Sequence, residues 1–225
     1  MNENIPIARI IRSRRRTIAL VVTPDATLIV RAPLRTPVFR LEQLIVEKRD
    51  WIRRKLNEVR RKPPLMPREY VEGEEFWYLG KKYHLRVAGN VAPQVTSEGD
   101  LRLPEKSRAL VRETVLQWYR DQAARVVGER CMRWIGIAGC EPLRIRITSA
   151  RKRWGSCSTK GAVNFSSRLV MAPPAIIDYI IVHELVHLDQ PDHSHLFWAK
   201  VERILPDYRS REQWLRKHER YLMLP

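Results

Sequence analysis

The stretch HELVHLDQPDHSH, residues 183–195, gathers four of the chain's six histidines into thirteen positions. It opens with His183, Glu184 and His187 in the pattern H-E-x-x-H, which has chemical meaning only on a helix. The surrounding residues meet that condition. Ile176, Ile177, Ile180, Ile181 and Leu185 recur at core-like helical spacings, and the Pro173-Pro174 pair suits a helix opening. Positions i and i+4 of a helix differ by about 40°, so both imidazoles project from one face about one turn apart. That separation suits two corners of a tetrahedral Zn2+ ion. Glu184, beside them, is placed to take a proton from a water that the metal acidifies, while the metal polarises a substrate carbonyl.

A catalytic zinc has three protein ligands and an open position. His193 lies six residues after His187, and Pro191 between them cannot continue the helix. The chain is therefore expected to turn there and bring His193 back over the metal. The spacing 0, +4, +10 is that of metzincin proteases, but Gln190 stands where they carry glycine, which argues against membership. His195, opening the next helix, competes as third ligand, and Glu202 on that helix is the carboxylate alternative. Asp178, Asp189 and Asp192 are candidates to hold ligand N–H groups, although Asp178 also suits the N-terminal end of its helix. Arg153, Tyr179, Tyr208 and His218 are candidates to steady the charge of a tetrahedral intermediate.

The rest of the chain reads as a globular, water-soluble protein. Of its 225 residues, 44% are hydrophobic and 30% charged, and no apolar run approaches the roughly 18–20 residues of a membrane span. The N-terminal MNENIPIARIIRSRRR lacks the order of charge, apolar run and small residues of a secretion signal. Cys131, Cys140 and Cys157 lack C-x-x-C spacing and fit reduced thiols in a cytoplasmic protein. The net charge of +17, with Lys/Arg clusters at 12–16, 48–62 and 144–153, would attract polyanions such as nucleic acid or nucleotides.

Along the chain, residues 8–22 and 26–33 alternate as two arms of a β-hairpin turning at Thr23-Pro24-Asp25. A basic amphipathic helix is predicted over 39–61, then a proline-rich extended connector over 61–70. A second hairpin spans 76–87 with its turn near Gly80-Lys81, and a strand pair spans 92–104 with its turn at Glu98-Gly99-Asp100. The apolar stripe of 107–135 predicts one long helix, or two broken at Gly128. Strands at 143–149 and around 153–165 precede the H-E-x-x-H helix, and helices at 195–205 and 210–223 close the chain. The predicted division is a β-rich basic N-terminal part, residues 1–104, and an α+β zinc-binding catalytic part, residues 105–225.

The block RKRWGSCSTKGAVNFSSRLVMAPPAIIDYIIVHELVHLDQPDHSHLFW resembles the signature of the YgjP-like zinc metallopeptidase domains, relatives of the WLM and SprT-like proteases. Its carriers are R-W-G-S-C (Arg153 to Cys157), R-L-x-M-A-P (Arg168 to Pro173), the H-E-L-x-H helix, and D-H-S-x-x-F-W (Asp192 to Trp198). The match is strong over about residues 143–200. The resemblance implies an α+β, minimal gluzincin-like fold with zinc on His183, His187 and His193 and Glu184 as general base. It also implies that SSRLVMAP is a strand beside the active-site cleft, against which an extended peptide could pair. His195 stands where Lys or another polar residue is expected.

These features leave a zinc-dependent metallopeptidase acting on proteins or peptides, a zinc phosphohydrolase acting on nucleotides, or a nucleic-acid-associated protein with structural zinc. A structural site usually takes four Cys/His ligands and has no use for Glu184, so the last is weakest. Ser156 or Cys157 as nucleophile would need a strand-to-helix elbow, whereas the sequence predicts a strand–turn–strand there.

Overall fold

The computed structural model describes residues 7–23, 25–61 and 68–223. The predicted turn residue Pro24 and residues 62–67 of the predicted connector lie outside them. The chain divides into two compact units, Met1–Met66 and Pro67–Pro225.

In the first unit, strands β1 (Ile7–Ser13), β2 (Ala19–Val22) and β3 (Leu28–Pro33) form a sheet with β3 in the centre. The antiparallel β2–β3 pair is the expected hairpin, but its first arm is divided, and β1 pairs parallel to β3. Leu28, Val30 and Ala32 point to one face of β3 and are fully buried with Leu41, Ile52 and Leu56. Those three lie on α1 (Val38–Glu47) and α2 (Arg49–Arg60), two helices where the sequence predicts one. The break falls at Lys48, whose φ of −100° and ψ of 12° leave the helical region. A straight helix over 38–60 would be about 34 Å long at 1.5 Å per residue. The six-residue β3 spans about 20 Å at 3.3 Å per residue, so a bend keeps both apolar faces on the sheet.

The second unit begins with an antiparallel hairpin, β4 (Glu75–Tyr78) and β5 (Lys81–Val87), followed by β6 (Gln94–Val95) and β7 (Asp100–Leu103) in the order β4-β5-β7-β6. Both predicted turns, at Gly80 and at Gly99, are present. Helix α3 (Val111–Ala138) is continuous through Gly128. Leu85, Leu101 and Leu103 share one core with Val115, Tyr119, Val127, Phe165 and Ile181. The core is thus continuous across residue 104, where the sequence suggests a boundary, because the strands' inward faces and α3 join one apolar cluster, with Tyr78 of β4 against Trp118 of α3.

Three further strands, β8 (Arg144–Thr148), β9 (Gly155–Cys157) and β10 (Ala162–Ser166), form a sheet ordered β8-β10-β9. The central β10 runs parallel to β8 and antiparallel to β9, leaving β9 at an edge. The segment after β10 corrects the sequence expectation. Ser167–Met171 is not a strand but a short 3-10 helix, with all five residues buried. Leu169, Val170 and Met171 sink completely into the core, and the Val170 and Met171 carbonyls accept the N–H groups of Leu79 and Gly80 at 2.7 and 3.1 Å. Its backbone is committed to the β4–β5 turn and offers no edge to a peptide.

That segment feeds α4 (Pro174–Val186), which begins with proline at a position where the missing N–H costs nothing. Ile176 to Val182 and Glu184 to Val186 are buried, so α4 is a central helix enclosed on nearly every side. Helices α5 (His195–Ile204) and α6 (Tyr208–His218) follow. The described residues of the second unit therefore mix two sheets with four α-helices. No helix among the described residues is long and apolar enough to cross a membrane.

Candidate metal centre

His183 stands in the last turn of α4, and His187 is its C-cap. Their ring centroids lie 4.9 Å apart, as the i, i+4 spacing requires. After α4 the chain turns tightly, with the Asp189 and Gln190 N–H groups both bonded to the Val186 carbonyl at 3.1 and 2.9 Å. Pro191 follows, and Asp192 accepts the Ser194 N–H at 3.0 Å. This loop carries His193 back. Its Nε2 lies 3.2 Å from Nε2 of His187 and 3.1 Å from Nε2 of His183. Nitrogens held about 2.05 Å from a tetrahedral zinc would be about 3.3 Å apart. The three rings are the metal-capable cluster among the described residues.

His187 shows how a ring is aimed. Its Nδ1–H donates to the Gln190 carbonyl at 2.9 Å, which leaves the Nε2 lone pair facing the cluster. His183 differs: its Nδ1 is buried with no hydrogen-bond partner among the described residues. Burial lowers its pKa to about 3, with His187 and His193 acting in the same direction. Burial and then His187 likewise lower His193. Three imidazole nitrogens that converge in a partly desolvated place can share one cation, so the donor set fits a zinc ion.

Phe197, fully buried on α5, packs against all three rings, with centroids 4.9 Å from His183, 4.4 Å from His187 and 4.8 Å from His193. Trp198 lies 5.9 Å from His183 and 5.8 Å from His193, and stacks on Tyr208 at 5.3 Å. Neither aromatic is among the residues the sequence singles out as candidates. The signal available was their place in D-H-S-x-x-F-W, four and five residues after His193, on the inner face of a short helix.

Glu184 is buried against β9. Its carboxylate accepts the backbone N–H of Cys157. Burial pushes its pKa up to about 7, against the opposing pull of the Arg153 guanidinium and that N–H. Gly155 makes the approach possible, since a β-carbon there would fall 2.6 Å from Glu184 Cγ. The R-W-G-S-C element thus supports the glutamate with its backbone, and it is a strand rather than the strand-to-helix elbow that a nucleophile at Ser156 or Cys157 would need. Burial, with Glu184 beside it, raises the Cys157 pKa.

Other candidates fall elsewhere. His195 is exposed and outside the cluster. Glu202 pairs with Arg209 at 3.9 Å. None of the three aspartates holds a ligand ring: Asp178 pairs with Arg130 at 2.6 Å, Asp189 with Lys200 and the Cys140 thiol, and Asp192 caps its own loop. A backbone carbonyl takes the role expected of them, because the turn after α4 already points it at His187. Tyr179 contacts His183 at 5.9 Å between centroids, with its pKa raised by burial, whereas His218 stacks on Trp214 at 4.1 Å and bonds its carbonyl.

The model of the YgjP-like metallopeptidase domain family matches residues 16–218. Among solved structures, the metallopeptidase zymogen of Pyrococcus abyssi abylysin is similar at 23% identity and a TM-score of 0.38, covering 41% of this chain and 95% of that one. No curated protein matches the chain. The nucleic-acid partner expected from the charge finds no support in these similarities.

Proposed function

Because the chain belongs to the YgjP-like metallopeptidase domain family, we propose that it is a zinc-dependent peptidase with His183, His187 and His193 as ligands and Glu184 as general base. The observation that carries this reading is that the His193 Nε2 lies 3.1–3.2 Å from those of His183 and His187, at the end of the helix that also bears a buried carboxylate. A zinc ion held there supplies a Lewis acid, which makes water acidic near neutral pH and polarises a carbonyl.

The chain's own groups do the rest. Glu184 takes a proton from the attacking water and can pass it to the leaving amine nitrogen, work suited to a carboxylate whose proton affinity burial has raised. The Cys157 N–H and the close fit at Gly155 fix the carboxylate's direction. His187 holds its Nε2 in place through Gln190, and Phe197 excludes water behind the three rings. The substrate's main chain is expected along β9, an edge strand of its sheet, in place of the buried 167–171 segment.

The test is Glu184→Gln in the full chain. This variant should keep about one zinc per chain and lose cleavage of an unfolded casein substrate by about 100-fold or more. Undiminished cleavage would remove Glu184 as the base.

A further inference from the structure

Away from the histidines, a small cavity of about 60 Å3 is lined by Arg120, Ser149, Arg151, Ser166, Ser167 and Arg168. Three arginines are among its lining residues and no acidic residue is. Arg168 is only 5% exposed. Its guanidinium stacks on Trp154 at 3.7 Å, and its Nη1 lies 3.3 Å from the Leu222 carbonyl and 3.1 Å from Met223 Sδ. Its Nε is buried with no hydrogen-bond partner among the described residues. A buried charge normally has a charged partner. Glu219 acts on Arg168 through space, yet forms no ion pair with it among the described residues.

The other two arginines stand over the same opening. Arg120 uses Nε and Nη2 on Gln117 Oε1, at 3.1 and 2.7 Å, within its own helix. Arg151 is exposed and has no hydrogen bond or ion pair among the described residues. The Ser166 hydroxyl is spent on the Ala150 carbonyl at 2.7 Å, so Ser149 and Ser167 are the neutral hydroxyls at hand. At about 10–15 Å3 for each water-sized probe, such a cavity holds roughly four to six of them, room for one compact group rather than a nucleotide.

We propose that this cavity is an oxyanion-binding site, taking one carboxylate or phosphate group against Arg168, with Arg120 and Arg151 closing over it. Guanidinium forks match both anions in shape and charge, and a bound anion supplies a charged partner that the buried Arg168 lacks among the described residues. General surface charge does not account for this arrangement, since exposed arginines satisfy themselves in water whereas Arg168 is buried at the cavity wall. The site stands independently of the peptidase reading. Arg168 rests on Trp154, the residue before Gly155, so an anion held here would lie beside the strand that supports Glu184.

The experiment is calorimetric titration of the full-length, zinc-loaded protein with inorganic phosphate and, separately, with acetate at constant ionic strength. Saturable binding of at least one ion is expected, and the preferred ion identifies the tetrahedral or the planar source. Arg120→Ala or Arg151→Ala, both at exposed positions, should weaken it by about tenfold or more. Arg203→Ala, on exposed α5 surface, should leave it unchanged, and so should the His183→Ala/His187→Ala double variant. The proposal is overturned if neither ion saturates, if both cavity variants bind as the parent does, if Arg203→Ala weakens binding equally, or if the double histidine variant abolishes it.

Discussion

Gly155 and Glu184 are in close apposition: a β-carbon at residue 155 would lie 2.6 Å from Glu184 Cγ, 2.7 Å from Oε1 and 2.8 Å from Cδ. The glutamate of the H-E-x-x-H helix is therefore positioned by a strand some thirty residues earlier in the chain. The strand contributes an absent side chain at Gly155 and a backbone N–H at Cys157.

Gly155→Ala forces that carboxylate to move. Overpacking of this kind costs about 1–3 kcal/mol, and the displaced Glu184 should lower turnover by about tenfold or more. Zinc content should remain near that of the parent, because no ligand is touched. Metal analysis beside a peptidase assay checks both; parental turnover in a folded Gly155→Ala variant would separate the glutamate's position from the reaction.

Phe197 is the common floor of the three histidines, so its replacement should act on the metal through packing. Phe197→Leu keeps most of the volume and should cost less than about 1.5 kcal/mol. Loosened rings should weaken zinc binding by about 10- to 100-fold, the range for residues that orient ligands. Competition with a fluorescent chelator measures this, and denaturant unfolding of the zinc-free form reports the stability change separately.

Removing the metal should release the loop that delivers His193. Chelation is expected to lower Tm and to speed amide exchange over residues 190–194, and added zinc should restore both. The His183→Ala/His187→Ala variant should show no response to chelator or zinc. A chelator response persisting in that variant would place the metal elsewhere.

The thiols should differ in reactivity. Burial pushes Cys131 up to about 12 and raises Cys140 and Cys157 more modestly, all in the direction that disfavours thiolate. Iodoacetamide at pH 8 should therefore modify Cys157, the partly exposed one, well before Cys131. Mass spectrometry of tryptic peptides follows the order, and all three should react in denaturant.

The sequence by itself determined whatever depends on neighbours a few residues away. Helical periodicity placed His183 and His187 on one face, Pro173-Pro174 opened α4, and the glycines at 80 and 99 marked two turns, because these features follow from local backbone geometry. Pro191 likewise foretold the turn toward His193, although only the packed loop, with His195 left facing solvent, separates the two candidates. Tertiary structure decided the rest. The family resemblance implies a strand at residues 167–171, yet the Val170 and Met171 carbonyls find the β4–β5 turn and the side chains the core, so the segment coils into a 3-10 helix. The core runs across residue 104 because the inward faces of β5 and β7 and the apolar side of α3 belong to one cluster. Likewise, no local pattern shows that Gly155 meets Glu184, that Gln190 rather than an aspartate holds His187, or that Phe197 floors the cluster. Each is a contact between segments distant in sequence or a direction set by packing, and its energy exists only once the chain has closed around it.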